Sequence, residues 1–164
     1  TSQPNESPIQ LVARLAKEKA QAIINQNTDT HNSIIITSDQ VACLSDQILG
    51  KPLTHDKAVH QLSLFSGQKV EFITSLHLTD TSNGHTFSSI SHYCVYFRTL
   101  SEAEIIRYIE LEQPLNCAGS FKCEGLGVAL FEKMEGDDPN GLIGLPLISL
   151  CKGLRELGVN PLSV

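Results

Sequence analysis

The chain has 164 residues, 41% hydrophobic and 18% charged, a balance that excludes a disordered chain and suits one globular domain over residues 1–164. Twelve Lys and Arg against eighteen Asp and Glu leave a formal charge of -6, which argues against nucleic acid or an anionic membrane as a partner. No stretch approaches the ~20 apolar residues of a membrane helix. The polar start Thr1-Ser2-Gln3 does not read as a signal peptide. Five scattered cysteines with no C-x-x-C pair fit a reducing cytoplasm.

Ser7-Pro8-Ile9-Gln10 carries the cap, the first-turn proline and the capping-box glutamine of a helix start. Leu11, Val12, Leu15, Ala16, Ala20 and Ile23 then recur at helical spacing. Ser33-Ile34-Ile35-Ile36-Thr37 is a β-branched run that predicts a buried strand, ending in the polar triplet Ser38-Asp39-Gln40. After a loop closing at Gly50-Lys51-Pro52, Thr54 caps a helix from about His55 to Phe65, with Gly67 as its stop.

Residues 69–79 and 86–98 read as two long strands joined at Asn83-Gly84, a hairpin signal because both residues tolerate positive φ. Ser101-Glu102-Ala103-Glu104 is a second capping box, opening a helix to about Glu110. An irregular stretch from Glu112 to Gly127 follows, then a predicted strand near Val128–Phe131 and a turn at Gly136-Asp137-Asp138-Pro139. A last helix starts at Pro146 and ends at Gly158. This alternation predicts an α/β fold with a mixed sheet.

Asp39 is the most telling position. An Asp after an apolar strand sits where ligands commonly bind in α/β proteins, although the same residue also makes a plain Asx turn. Lys51, between a flexible and a rigid residue, suits a phosphate contact or simple solvation. Lys19 lies near the apolar edge of the first helix, where a lysine snorkels or reaches a ligand. In Cys117-Ala118-Gly119-Ser120-Phe121-Lys122-Cys123-Glu124-Gly125, small residues permit close approach of backbone to a ligand, and Lys122 and Glu124 offer opposite charges. The acidic run at Glu132, Glu135, Asp137 and Asp138 reads as a solvated turn, and no histidine pair has metal-ligand spacing.

Taken in order, several segments resemble the Maf family of nucleotide pyrophosphatases, most closely its bacterial branch that hydrolyses 7-methyl-GTP. They are Ser38-Asp39-Gln40-Val41, Gly50-Lys51-Pro52-Leu53, Phe65-Ser66-Gly67, Cys117 to Lys122, Glu124-Gly125-Leu126-Gly127, Glu135 to Pro139 and Gly144-Leu145-Pro146-Leu147. The resemblance implies a homodimeric cytoplasmic hydrolase with an inosine-triphosphatase-like fold, a twisted mixed sheet flanked by helices. It implies cleavage of a nucleoside triphosphate between the α and β phosphates, assisted by magnesium, manganese or cobalt.

By the same resemblance, Asp39 is the proton acceptor and metal ligand. Lys19, Lys51, Lys122 and Ser38 bind substrate, while Gln40 and Glu124 set base choice. The chemistry agrees: polyphosphate oxygens need cations, and a carboxylate can orient and deprotonate water. A methylated guanine carries ring charge that an acidic Glu124 would favour.

The family pattern opens with a strand and an S-x-R-R phosphate loop ahead of the first helix, and neither precedes Ser7 here. The expectation is therefore a Maf fold lacking its first strand and phosphate loop, inactive or weakly active in this 164-residue form. A catalytically silent nucleotide-binding regulator linked to arrest of cell division is the alternative.

Overall fold

The computed structural model describes residues 3–26, 30–45 and 47–163. The first helix, α1, spans Pro8–Gln26. It opens on the expected box: Ser7 N donates to Gln10 Oε1 at 2.9 Å, and Gln10 N donates to Ser7 Oγ at 3.3 Å. Strand β1 (Ile34–Leu44) and the short β2 (Gln47–Leu49) lead into α2 (His55–Phe65), capped by Thr54. Then come β3 (Lys69–Asp80) and β4 (Thr86–Phe97), joined by the Asn83-Gly84 turn, and α3 (Glu102–Glu112) with a complete capping box at Ser101.

Two 3₁₀ turns, Ala118–Ser120 and Leu126–Leu130, precede β5 (Phe131–Gly136). Helices α4 (Pro139–Ile143) and α5 (Leu147–Glu156) close the chain.

The strands form one five-stranded sheet in the order β2-β1-β3-β4-β5, and each of these pairings is antiparallel. A mixed sheet was the expectation. Helix α2 instead returns the chain to the far end of β1, so β3 sets out in the opposite direction with Glu71 facing Cys43. One face of the sheet carries α1, whose Leu11 and Val12 pack with Val41, Cys43 and Ile73. The other face holds the larger core, built from Phe72, Tyr93 and Val95 of the sheet, Leu62 and Phe65 of α2, and Ile105 and Ile109 of α3.

Two boundaries differ from the sequence reading. Strand β1 does not stop at the polar triplet: Ser38, Asp39 and Gln40 pair in register with Leu76, Ser75 and Thr74 and carry the strand on to Leu44. At the other end, residues 126–130 form a turn and the strand begins only at Phe131. Gly127 N donates to the Lys122 carbonyl at 3.1 Å, folding this segment back on itself too tightly for extended pairing.

The turn at Ala118–Ser120 is fastened through an aromatic cluster. Phe121 lies 5.3 Å from Phe72, 5.8 Å from Phe97 and 4.9 Å from Phe131 between ring centroids, all edge-to-face. Such pairs contribute about 0.5–1.5 kcal/mol each beyond their burial. Gly119 lets the turn sit this low: its φ is +76°, and a Cβ there would lie 2.7 Å from Phe72 Cζ. Gly119→Ala is therefore expected to lower unfolding stability by about 2–4 kcal/mol through strain and overpacking. Urea unfolding at unchanged m-value measures this, and wild-type stability would contradict the packing described.

Candidate active site

The site grows out of the middle of β1. Successive side chains of a strand point to opposite faces. Thr37 and Asp39 face α1, where Thr37 Oγ1 donates to the Ala16 carbonyl at 2.7 Å. One turn further along α1, the Lys19 ammonium donates to the Ser38 carbonyl at 2.9 Å and forms an ion pair with Asp39 Oδ1. The Asp39 side chain keeps only 16% of its exposure and Lys19 keeps 52%. The aspartate is thus sheltered and the cation reaches solvent.

Ser38 and Gln40 face the opposite way, toward the segment after β5. Ser38 Oγ donates to the Gly144 carbonyl at 2.6 Å. Gln40 Nε2 donates to Thr74 Oγ1 at 2.8 Å and to the carbonyls of Gly141 and Leu142 at 2.7 and 3.2 Å. That segment is held by Asp138, which is buried rather than solvated as the acidic run suggested. One carboxylate oxygen accepts from Asn140 N at 2.9 Å, and the other accepts from Ile148 N at 2.7 Å. A single side chain therefore satisfies free N–H groups at the starts of both α4 and α5.

Two loops complete the cleft. The Lys51 loop is tied down by Gln61 of α2, which donates to the Gly50 carbonyl at 2.9 Å and accepts from Ser120 Oγ at 2.5 Å. The Lys51 ammonium itself has no hydrogen-bonding or ion-pairing partner among the described residues. The loop bearing Glu124 is held by the end of α3. Lys122 Nζ donates to the Glu112 carbonyl at 2.6 Å, Lys122 N donates to Tyr108 Oη at 2.9 Å, and Leu126 N donates to Glu112 Oε1 at 3.0 Å.

These groups enclose a cleft of about 340 Å³. Lys19, Ser38, Asp39, Gln40, Lys51 and Glu124 line it together. Lys122 is not among the lining residues. Its ammonium is spent on an unpaired carbonyl at a helix C-terminus, a place that attracts cations. Phe72, Asn116 and Ile143 also line the cleft and were not singled out in the sequence. A loop Asn and two apolar residues carry no pattern that separates them from their neighbours.

The environment of the two cleft thiols disfavours their thiolate form. Burial raises Cys117, and burial with the neighbouring Glu124 carboxylate pushes Cys123 up to about 11. Among the described residues no three His, Cys, Asp or Glu side chains gather as a metal cage.

The fold and site together define a small-molecule-sized cleft with cations and a sheltered carboxylate. The Maf-like protein family model matches residues 1–157, and the chain belongs to that family. One of its relatives is the 7-methyl-GTP pyrophosphatase of Colwellia psychrerythraea strain 34H, 50% identical over 163 residues, which are 99% of this chain and 80% of that protein.

Asp138→Ala removes the shared cap of α4 and α5 and should cost about 1–3 kcal/mol. A lowered midpoint in thermal unfolding checks this, and an unchanged midpoint would show that Asp138 does not hold the segment in place.

Proposed function

We propose that this protein is a nucleotide pyrophosphatase that hydrolyses the α–β phosphoanhydride of 7-methyl-GTP, giving 7-methyl-GMP and pyrophosphate. The observation that carries the reading is one cleft lined together by the sheltered Asp39 carboxylate, the cations of Lys19 and Lys51, and the acceptor groups of Gln40 and Glu124. The relative's name supports the substrate.

The chemistry follows from these groups. Lys19 and Lys51 offset the charge of the triphosphate. Ser38 Oγ, anchored on Gly144, lies beside them as a further contact for substrate. Asp39 accepts a proton from the water whose oxygen bonds to the α-phosphorus, and the bond from that phosphorus to the bridging oxygen breaks. Pyrophosphate departs with the bridging oxygen. Lys19 on Oδ1 fixes the carboxylate and leaves Oδ2 without a bond to the described residues, so Oδ2 is the oxygen available to take the proton. Lys122 contributes through the loop it fastens, not by touching phosphate.

A divalent ion such as magnesium fits this donor set, because magnesium is held by one or two carboxylates together with substrate phosphates rather than by an all-protein cage. Asp39 would hold it, and the ion would supply further charge neutralisation at the phosphate oxygens. Manganese or cobalt fits the same oxygens.

Base choice falls to Gln40 and Glu124. A carboxylate is an acceptor only, and the Gln40 amide has its N–H groups committed to the protein, so both present lone pairs. Guanine offers N–H donors to such groups, and the positive ring of 7-methylguanine adds attraction to the Glu124 carboxylate. The reading includes a cytoplasmic homodimer that binds neither nucleic acid nor membrane. The charge of -6 supports the last part, and no helix among the described residues is long and apolar enough to cross a membrane.

Two expectations test the reading on protein expressed from its full reading frame. Asp39→Asn should lower pyrophosphate release from 7-methyl-GTP by about 10²–10⁴-fold, the usual worth of a positioned proton acceptor; retained turnover would remove Asp39 from that role. Glu124→Gln should reduce the preference for 7-methyl-GTP over GTP by about 1.5- to 5-fold, as for an exposed charge contact. Steady-state kcat/KM for both nucleotides gives the ratio, and an unchanged ratio would refute the charge argument.

A further inference from the structure

The Gln40 amide sits at one end of a polar row that crosses the sheet. Gln40 on β1 lies opposite Thr74 on β3, which lies opposite Ser91 on β4. All three sit beneath Gly141 of α4. Gly141 has no side chain, and a Cβ there would lie 2.9 Å from Ser91 Oγ. The backbone of α4 can therefore descend onto the sheet, where the Gly141 carbonyl accepts from Thr74 Oγ1 at 3.0 Å and from Gln40 Nε2 at 2.7 Å.

This arrangement decides which end of the Gln40 amide faces the cleft. Carbonyl oxygens of Gly141 and Leu142 can only accept, so the atom beside them must be the nitrogen. The Thr74 hydroxyl gives its single proton to the Gly141 carbonyl, so it meets the Gln40 nitrogen with a lone pair. Turning the amide over would set Oε1 against two carbonyl oxygens. Gln40 Oε1 accepts no bond from the described residues.

We propose that Thr74 is a positioning residue for base selection: by donating to Gly141 and accepting from Gln40, it locks the amide so that Gln40 presents to the cleft an acceptor and no donor. The class of base this favours carries N–H donors on its pairing edge, as guanine does. Adenine has a donor at N6, but its N1 lone pair meets lone pair where guanine presents N1–H. Thr74 is buried, so it acts through Gln40 and not by contact with the base. The proposal rests on the reading that Gln40 meets the base.

The test is a double-mutant comparison of kcat/KM for 7-methyl-GTP against ATP, on protein expressed from its full reading frame. Thr74→Val keeps the shape of the side chain and removes both hydrogen bonds. The ratio should fall by about 3- to 10-fold, the worth of one or two neutral hydrogen bonds, with the change carried by KM. Thr74→Ser should restore it. In a Gln40→Ala background, Thr74→Val should change the ratio no further. Gly141→Ala, which lifts the shared carbonyl off the row, provides an independent arm and should lower the ratio in the same direction.

A wild-type ratio in both Thr74→Val and Gly141→Ala would overturn the proposal, as would an equal fall with and without Gln40. If Gln40→Ala alone left the ratio unchanged, the base-contact reading would itself be wrong, an outcome distinct from the other two.

Discussion

The site depends on the pleat of one strand. Because β1 continues unbroken through Ser38-Asp39-Gln40, neighbouring side chains are sent to opposite faces of the sheet. Asp39 goes to the α1 face and meets Lys19, while Ser38 and Gln40 go to the other face and meet the segment 141–144. A slip of one residue would exchange these partners and bury the carboxylate among the carbonyls of Gly141 and Leu142. The register against β3, ten residue pairs long, is what prevents it.

The two faces can serve one cleft because of the sheet's edge. Strand β2 pairs only with Ala42, Cys43 and Leu44, so among the described residues the outer edge of β1 from Ile34 to Val41 has no strand beside it. Side chains from both faces converge around that edge. The cations come from elements fixed elsewhere: Lys19 from a helix whose apolar stripe is buried, and Lys51 from a loop fastened by Gln61. The Glu124 loop is carried by Phe121 in the aromatic cluster and by Lys122 at the end of α3. Each of these loops and helices is therefore held by a neighbour anchored in the core or on a helix end, which fixes the geometry of the cleft.

Much of this was legible in the sequence, for identifiable reasons. Capping boxes at Ser7 and Ser101, the Thr54 cap and the Asn83-Gly84 turn are local signals, and those elements fall where the patterns put them. Ordered motifs brought six of the seven site residues into one cleft. The extension of β1 was not legible, because a polar triplet after an apolar run looks like a strand end; its side chains are satisfied by partners 20 to 106 residues distant. The displacement of Lys122 from the cleft depends on a carbonyl of α3 ten residues earlier. Buried Asp138 looked like a solvated acid because its role, capping two helices at once, appears only when α4 and α5 meet. Thr74 gave no sign at all: a threonine in a strand is unremarkable until the register sets it opposite Gln40.

In the proposed reaction, water attacks the α-phosphorus of a nucleotide held by this cleft. Hydrolysis of 7-methyl-GTP in ¹⁸O-labelled water with magnesium, followed by phosphorus NMR of the products, tests it most directly. Attack at that phosphorus gives 7-methyl-GMP carrying the label, with unlabelled pyrophosphate. Labelled orthophosphate with 7-methyl-GDP, or label in the pyrophosphate, would place the attack on a different phosphorus and contradict it.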